Sequence, residues 1–197
     1  MKKTVMFGII LLICGIIAII YLGYDHTQQS NNQSAHSPVA VYRLNNQSCR
    51  CSTDVFEMNL FSDKAVYKTT DAIEIWATLE YTGNNDTIRI WHSEPYMVFS
   101  ITDGKNFTIG GLRNCILTSS ILEKGEIYHF DHEKSGGWDP ADFDAGFWEN
   151  FFNKKDLFLP AGEYTVTLQG DFYLTYSDRG IETYSDLLCE LNIKVEN

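Results

Sequence analysis

The chain has few basic residues for its length, and this scarcity restricts what it can bind. Lysine and arginine together number 15 against 26 aspartate and glutamate residues, which gives the 197-residue chain a formal net charge of −11. A surface this acidic is repelled by phosphate backbones and by anionic lipid head groups. Nucleic-acid binding is therefore excluded. The charge predicts either a solvated outer surface or a surface that recruits cations or a basic partner.

Motifs of the common enzyme classes are also absent. The chain has no Gly-x-Ser-x-Gly nucleophile motif, no His-Glu-x-x-His metalloprotease motif and no glycine-rich phosphate-binding loop. It has no Cys-x-x-Cys pair, which disfavours a metal site built from thiolates. We therefore predict a protein that is not an enzyme and that needs no cofactor.

Long apolar runs are rare too, and the chain has one, at residues 5–22. It carries no charge, follows Lys2 and Lys3, and reaches the length of about 18 residues that a helix needs to cross a bilayer. A cleaved secretory signal is the alternative, but its apolar core would be shorter and no Ala-x-Ala site follows. Because positive residues stay on the cytoplasmic side, we predict one N-terminal transmembrane helix with the rest of the chain outside.

Composition divides the chain into three regions. Residues 1–24 are the predicted membrane anchor. Residues 25–51 are rich in Gln, Asn and Ser and hold too few apolar side chains to form a core, so they are predicted to be a flexible polar linker. Residues 52–197 are enough for one domain with a sizeable core. The sequence thus predicts a single-pass protein of the cell membrane with an extracytoplasmic C-terminal domain.

An alternation of apolar and polar residues, which is typical of half-buried strands, begins near residue 55. It covers residues 56–60, is clearest at residues 73–81, and returns at residues 186–195 near the C-terminus. Asp103-Gly104 marks a hairpin between two such runs. About eight short strands of this kind predict an all-β domain in which two antiparallel sheets pack as a sandwich.

One segment breaks this alternation and has a helical spacing instead. Asp139 and Pro140 resemble the start of a helix that continues to residue 153. Its aromatic residues recur on one helical face, and they are Phe143, Phe147, Trp148 and Phe151. We predict a short helical insertion whose aromatic face either closes one end of the sandwich or forms a surface that binds a protein partner.

The cysteines offer a second candidate feature. Four of them follow the apolar run, at Cys49, Cys51, Cys115 and Cys189, and four cysteines can form two disulfides in three ways. A Cys-x-Cys pair bridges itself poorly because the ring is strained, so we expect Cys49 and Cys51 to pair with Cys115 or Cys189. The alternative is that Cys189 is a small buried apolar residue.

The densest group of metal-ligand types is His129, Asp131 and His132. Two coordinating groups two residues apart on one strand face can share a metal ion, and these residue types suit zinc. An exposed strand edge has the same appearance. The sequence therefore leaves a zinc-type site and a plain solvated edge as alternatives.

Four stretches within residues 71–171 carry a resemblance to a known family. They are IWATLEY at 75–81, MVFSITD at 97–103, LEKGE at 122–126 and LPAGEY at 159–164. In these stretches the chain resembles the BsuPI-like domain, named for an intracellular proteinase inhibitor of Bacillus, and the uncharacterised membrane-anchored proteins of Gram-positive bacteria that carry it. The resemblance implies an immunoglobulin-like sandwich and, as one expectation, proteinase inhibition, but it assigns no reactive-site residue.

Together these features predict a membrane-anchored, extracytoplasmic interaction or accessory module. Its contact features would be the aromatic helix and the acidic surface, and its partner would be a protein. A proteinase inhibitor and a metal-binding domain are the two alternatives.

Overall fold

The computed structural model describes the backbone of residues 40–45, 47–177 and 180–197, and the side chains of residues 47–174 and 185–197. The predicted membrane anchor, residues 1–24, lies outside these ranges, as does most of the predicted linker. Within them, none of the helical structure has the length and apolar character of a membrane span.

Strands dominate the described part of the chain, which contains one α-helix. The strands are β1 (Ala40–Asn45), β2 (Ser48–Ser52), β3 (Phe56–Ser62), β4 (Val66–Lys68), β5 (Ile75–Tyr81), β6 (Thr87–Thr102), β7 (Thr108–Gly110), β8 (Thr118–Glu123), β9 (Ile127–Asp131), β10 (Gly162–Ser177), β11 (Gly180–Tyr184) and β12 (Leu188–Glu196). The helix, α1, is Ala145–Asn153 and lies between β9 and β10.

The strands form two sheets. The first sheet has five antiparallel strands in the order β1-β2-β3-β5-β9. The second sheet has seven, with β4-β12-β10-β6-β7 in order, β8 paired to β6 and β11 paired to β10. The pair of β12 and β4 is parallel, so the second sheet is mixed. This arrangement is an all-β sandwich, as the sequence predicted, but the parallel pair of β12 and β4 departs from the antiparallel sheets that it predicted.

Side chains alternate between the core and the outside as the sequence predicted. In the first sheet Met58 of β3 lies opposite Leu79 of β5, and Leu60 lies opposite Ala77. All four are completely buried. Along β12 every second residue is buried, beginning with Cys189. The predicted periods at residues 56–60, 73–81 and 186–195 are therefore confirmed.

Both sheets contribute to one core. The ring of Phe56 in the first sheet lies 5.7 Å from that of Tyr81 and 5.2 Å from that of Phe172 in the second sheet. All three rings are almost fully buried. Burying a large apolar side chain stabilises the fold by about 1.5–3 kcal/mol, so this contact between sheets is a main source of stability.

The hairpin predicted at Asp103-Gly104 is confirmed as the connection between β6 and β7. The Asp103 carboxylate accepts hydrogen bonds from the backbone N–H groups of Lys105 (2.8 Å) and Phe107 (3.0 Å), and Gly104 has a φ of 71°. These N–H groups hold the pKa of Asp103 below its usual value. The turn fixes Phe107, the residue against which α1 packs.

The structure corrects two predicted boundaries. Residues 40–45 and 48–51 were predicted as linker but belong to β1 and β2. In β2, Cys49 and Cys51 alternate with polar residues and fill the core as apolar side chains would. The helix was predicted to begin at Pro140, with Asp139 as its N-cap, but begins at Ala145, after a series of turns. The Asp139 carboxylate accepts a hydrogen bond from the Ala141 N–H, which closes a turn around Pro140 and leaves it outside the helix.

Candidate functional site

The inner side of α1 packs against Phe107 at one end of the sandwich. The Phe107 ring lies 5.4 Å from Trp148, in a stacked arrangement, and 5.7 Å from Phe151. It also lies 5.5 Å from Tyr164 of β10. Phe107 and Phe151 are only 7% and 6% exposed. One side of the aromatic face therefore belongs to the core, which attaches the helix to the sandwich.

Lys134 fixes the C-terminal end of α1. Its ammonium group donates hydrogen bonds to the carbonyl oxygens of Phe151 (2.8 Å), Asp156 (3.0 Å) and Lys154. It also lies 5.0 Å from the centre of the Phe151 ring. The last carbonyl groups of a helix lack partners within the helix and carry partial negative charge, so a lysine at this position satisfies them. Partial burial lowers the pKa of Lys134.

The N-terminal end of α1 is organised by Asp144. Its carboxylate accepts a hydrogen bond of 2.7 Å from the indole Nε1–H of Trp148, one turn further along. The same side chain makes no hydrogen bond to the backbone at the helix start. Asp144 thus fixes the orientation of the Trp148 ring against Phe107.

The outer side of this region presents apolar rings to solvent. Phe143 is fully exposed just before α1, Phe147 is 42% exposed on the helix, and Trp138 is 37% exposed in the preceding loop. The Trp138 ring is stacked on Phe152 with 6.1 Å between the ring centres. We call Trp138, Phe143 and Phe147 the aromatic rim. Of the four predicted contact residues, Phe143 and Phe147 therefore lie on the surface, Phe151 is buried and Trp148 is half-buried.

A groove of about 200 Å³ lies beside Phe147. It is lined by Thr69, Phe147, Asn150, Phe151, Lys154, Asp156, Phe158, Leu159 and Pro160. Four exposed acidic residues occur in the same segment of the chain, and they are Asp139, Asp142, Asp144 and Glu149. The aromatic rim is thus an apolar surface next to a shallow groove and within an acidic segment.

The structure does not bring the three predicted metal ligands together. His129 and Asp131 share the outer face of β9, where His129 Nε2 lies 2.9 Å from a carboxylate oxygen of Asp131. His132, one residue later, turns inward against the ring of Phe99 at 5.7 Å. In the described part of the chain no group of three or more His, Cys, Asp and Glu side chains could hold a metal ion. The alternation of a strand explains this separation, since neighbouring residues point to opposite sides.

His132 is unusual in its own right. Its Nε2 atom is buried and has no hydrogen-bond partner among the described residues. Burial, assisted by the positive charge of Lys134, lowers the pKa of His132 to about 4. The ring is therefore neutral at physiological pH and packs as an aromatic residue.

A polar cluster that the sequence did not indicate surrounds His92. This imidazole is completely buried. Its Nε2 lies 2.8 Å from the hydroxyl of Ser120, and its Nδ1 lies 3.1 Å from the carbonyl oxygen of Ser93 and 3.5 Å from the carboxylate of Glu94. The tautomer with hydrogen on Nδ1 satisfies both nitrogens, which is what burial of a histidine requires. Ser120 and His92 are far apart in sequence and share no motif, so only strand pairing reveals the contact.

The predicted disulfide candidates divide into two groups. Cys49, Cys51 and Cys189 are completely buried between the sheets, whereas Cys115 is exposed in the loop before β8. All four are thiols in the structure. Cys115 is therefore not placed with the other three.

Comparisons with known proteins identify no family for the chain. No protein-family model matches it, and no curated protein does. A match among solved structures is a β-glucosidase from Erythrobacter marinus, at 16% identity and a TM-score of 0.35. That match covers 72% of this chain and 15% of the β-glucosidase.

Proposed function

We propose that this protein is a membrane-anchored, extracytoplasmic interaction module with an immunoglobulin-like sandwich, and that the aromatic rim is its contact surface. The full exposure of Phe143 carries the proposal. Exposure of a large apolar ring to water is unfavourable. Burial of this ring by a binding partner therefore lowers the free energy. The anchor and the location rest on the apolar run at residues 5–22, and the immunoglobulin-like class rests on the family resemblance.

The attachment of α1 to the core supports this function. Trp148 and Phe151 attach the helix to the core, Asp144 orients Trp148, and Lys134 caps the other end. Phe147 is thereby presented in a fixed position. Side chains that are ordered before binding lose less entropy on binding, and buried aromatic anchors dominate the energies of many protein interfaces.

The chemistry around the rim indicates what kind of protein would bind. Exposed carboxylates at Asp139, Asp142 and Glu149 accompany the apolar rings. A complementary partner would offer an apolar pocket for Phe143 and basic residues around it. Such an interface gains affinity from the rings and orientation from the charges, and its association rate falls as salt screens those charges.

The test is affinity capture with the full-length protein in detergent, comparing wild type with Phe143→Ala/Phe147→Ala. The matched control is Ile116→Ala/Ile121→Ala, because these residues are also exposed, at 72% and 54%, but lie outside the rim. We expect the rim variant to lose specific partners, the control to retain them, and capture to weaken at high salt. Equal capture by wild type and rim variant would refute the proposal, as would equal loss in the control. A captured proteinase whose activity the protein lowers would specify the interaction as inhibitory.

A further inference from the structure

Three thiols meet in the interior of the sandwich. Cys49 and Cys51 lie on the inner face of β2 in the first sheet, and Cys189 lies on the inner face of β12 in the second. None of the three has any exposed surface. The cysteine side chains of the two sheets thus face each other in this part of the core.

The position of the Cys189 sulfur brings it within reach of both cysteines of β2. It lies 3.6 Å from the carbonyl oxygen of Cys49 and 3.6 Å from that of Met58, the residue paired with Cys51 in the ladder between β2 and β3. Hydrogen bonding to the thiols of Cys51 and Cys49, together with burial, raises the pKa of Cys189. One sulfur therefore has two potential partners across the interface between the sheets.

We propose that Cys189 forms a disulfide across the sandwich with either Cys49 or Cys51, and that the remaining cysteine stays a buried thiol. The oxidant is an external disulfide, such as a thiol–disulfide oxidoreductase or a small-molecule disulfide. One cysteine thiolate attacks it to form a mixed disulfide and releases one thiol. The second thiolate then displaces the other thiol, so two cysteines are oxidised and the external disulfide is reduced to two thiols.

This reaction takes place before the sheets close. In the folded domain the thiols have no access to an external oxidant, and the raised pKa of Cys189 keeps it protonated and unreactive. The remaining thiol allows the disulfide to exchange between Cys49 and Cys51. When Cys49 loses its proton and its thiolate attacks the Cys189 sulfur of a Cys51–Cys189 bond, the bond to Cys51 breaks, Cys51 leaves as a thiolate and takes up a proton, and no net oxidation occurs.

The experiment uses the full-length chain, refolded in detergent from its reduced form in a mixture of reduced and oxidised glutathione. Remaining thiols are alkylated, and the protein is digested with trypsin without reductant. Because Arg50 separates Cys49 from Cys51, cleavage after it places them on different peptides, and mass spectrometry distinguishes the two bridges. We expect the Cys189 peptide to be joined to one or both of these peptides.

Serine variants complete the design. Cys49→Ser and Cys51→Ser should each retain a bridge to Cys189, whereas the double variant should lose it and Cys115→Ser should change nothing. Reductant should lower the Tm of wild type by roughly 10 °C, because the bridge closes a loop of well over a hundred residues. The double variant should show no such shift. Fully alkylated Cys189, or a bridge that joins Cys49 to Cys51 or involves Cys115, would overturn the proposal.

Discussion

At the scale of single residues, His132 has an environment that opposes its protonation. Its pKa is lowered from 6.5 to about 4, because burial disfavours the charged ring and Lys134 repels it. The unfolded chain has no such environment, so its histidine binds a proton from about pH 6.5 downwards. Between these two values the unfolded state holds more protons than the folded state, and stability therefore falls as the pH falls.

The pH dependence of unfolding should reveal this. From pH 7.5 to pH 4, His132 should cost the folded state up to about 3 kcal/mol, since each unit of pKa difference corresponds to about 1.4 kcal/mol. His132→Phe removes the titration and keeps a ring against Phe99. In urea unfolding across this pH range, we expect the variant to lose less stability than wild type by that amount.

Carboxylates also titrate in this range, so the difference between proteins is the quantity to measure. The control is Phe143→Leu, because Phe143 is fully exposed and carries no titratable group. Its loss of stability on acidification should match that of wild type. Parallel pH profiles for wild type and His132→Phe would contradict the burial argument.

Prediction of single residues was correct where the two-residue period of a strand decides on which face a side chain lies. It was wrong where residues were grouped by their type alone. The alternation correctly placed His129 and Asp131 on one face of β9. The metal site failed because His132 was added as a neighbour in sequence, although the next position along the chain points inward. His92 and Ser120 went unnoticed because their contact depends on the pairing of β6 with β8.

At the scale of elements, the two sides of α1 should respond differently to substitution. Phe151 is buried among Phe107, Trp148 and Phe152, so Phe151→Ala should destabilise the domain by about 3–5 kcal/mol. Phe143 is fully exposed, so Phe143→Ala should change stability by less than about 0.5 kcal/mol. Thermal and chemical unfolding measure both, and a comparable loss of stability in the two variants would show that Phe143 also packs in the core.

Lys134 offers a second test of the helix. Lys134→Met keeps most of the side-chain length but removes the hydrogen bonds to the carbonyl oxygens of Phe151, Lys154 and Asp156. We expect a loss of about 1–3 kcal/mol, because the carbonyls at and just beyond the end of the helix lose a charged donor. The exposed Lys155 provides the matched control, and Lys155→Met should be near neutral in the same urea titration. No difference between the two variants would show that the cap contributes nothing to stability.

Strands with a clear alternation of apolar and polar residues were predicted correctly. A strand without this alternation and the exact start of the helix were not. β5 and β12 have uninterrupted alternation and were found. β2 was missed because Ser-Cys-Arg-Cys-Ser looks polar, although its cysteines serve as the apolar positions. The start of α1 was placed too early because Asp139 and Pro140 suit a turn as well as a helix cap, and local sequence does not distinguish these uses.

At the scale of the whole molecule, the class of fold was predictable but the assignment of strands to sheets was not. The turn after β8 contains Gly125, which has a φ of 77°. Yet β8 belongs to the second sheet and β9 to the first. A short turn has the same local chemistry whether it closes a hairpin or passes between sheets, so only the packing of the complete core decides.

The position of β1 also determines how the domain responds to mechanical force. β1 is an edge strand held by antiparallel pairing to β2, with Ala40 opposite Ser52. Tension applied to the chain at Ala40 would open this ladder from its free end, one hydrogen bond at a time, which requires little force. Peeling would then reach β2, whose cysteines face Cys189 across the core. The proposed disulfide would hold β2 to β12 and prevent further unfolding under tension. Only β1 would then separate from the domain at low force.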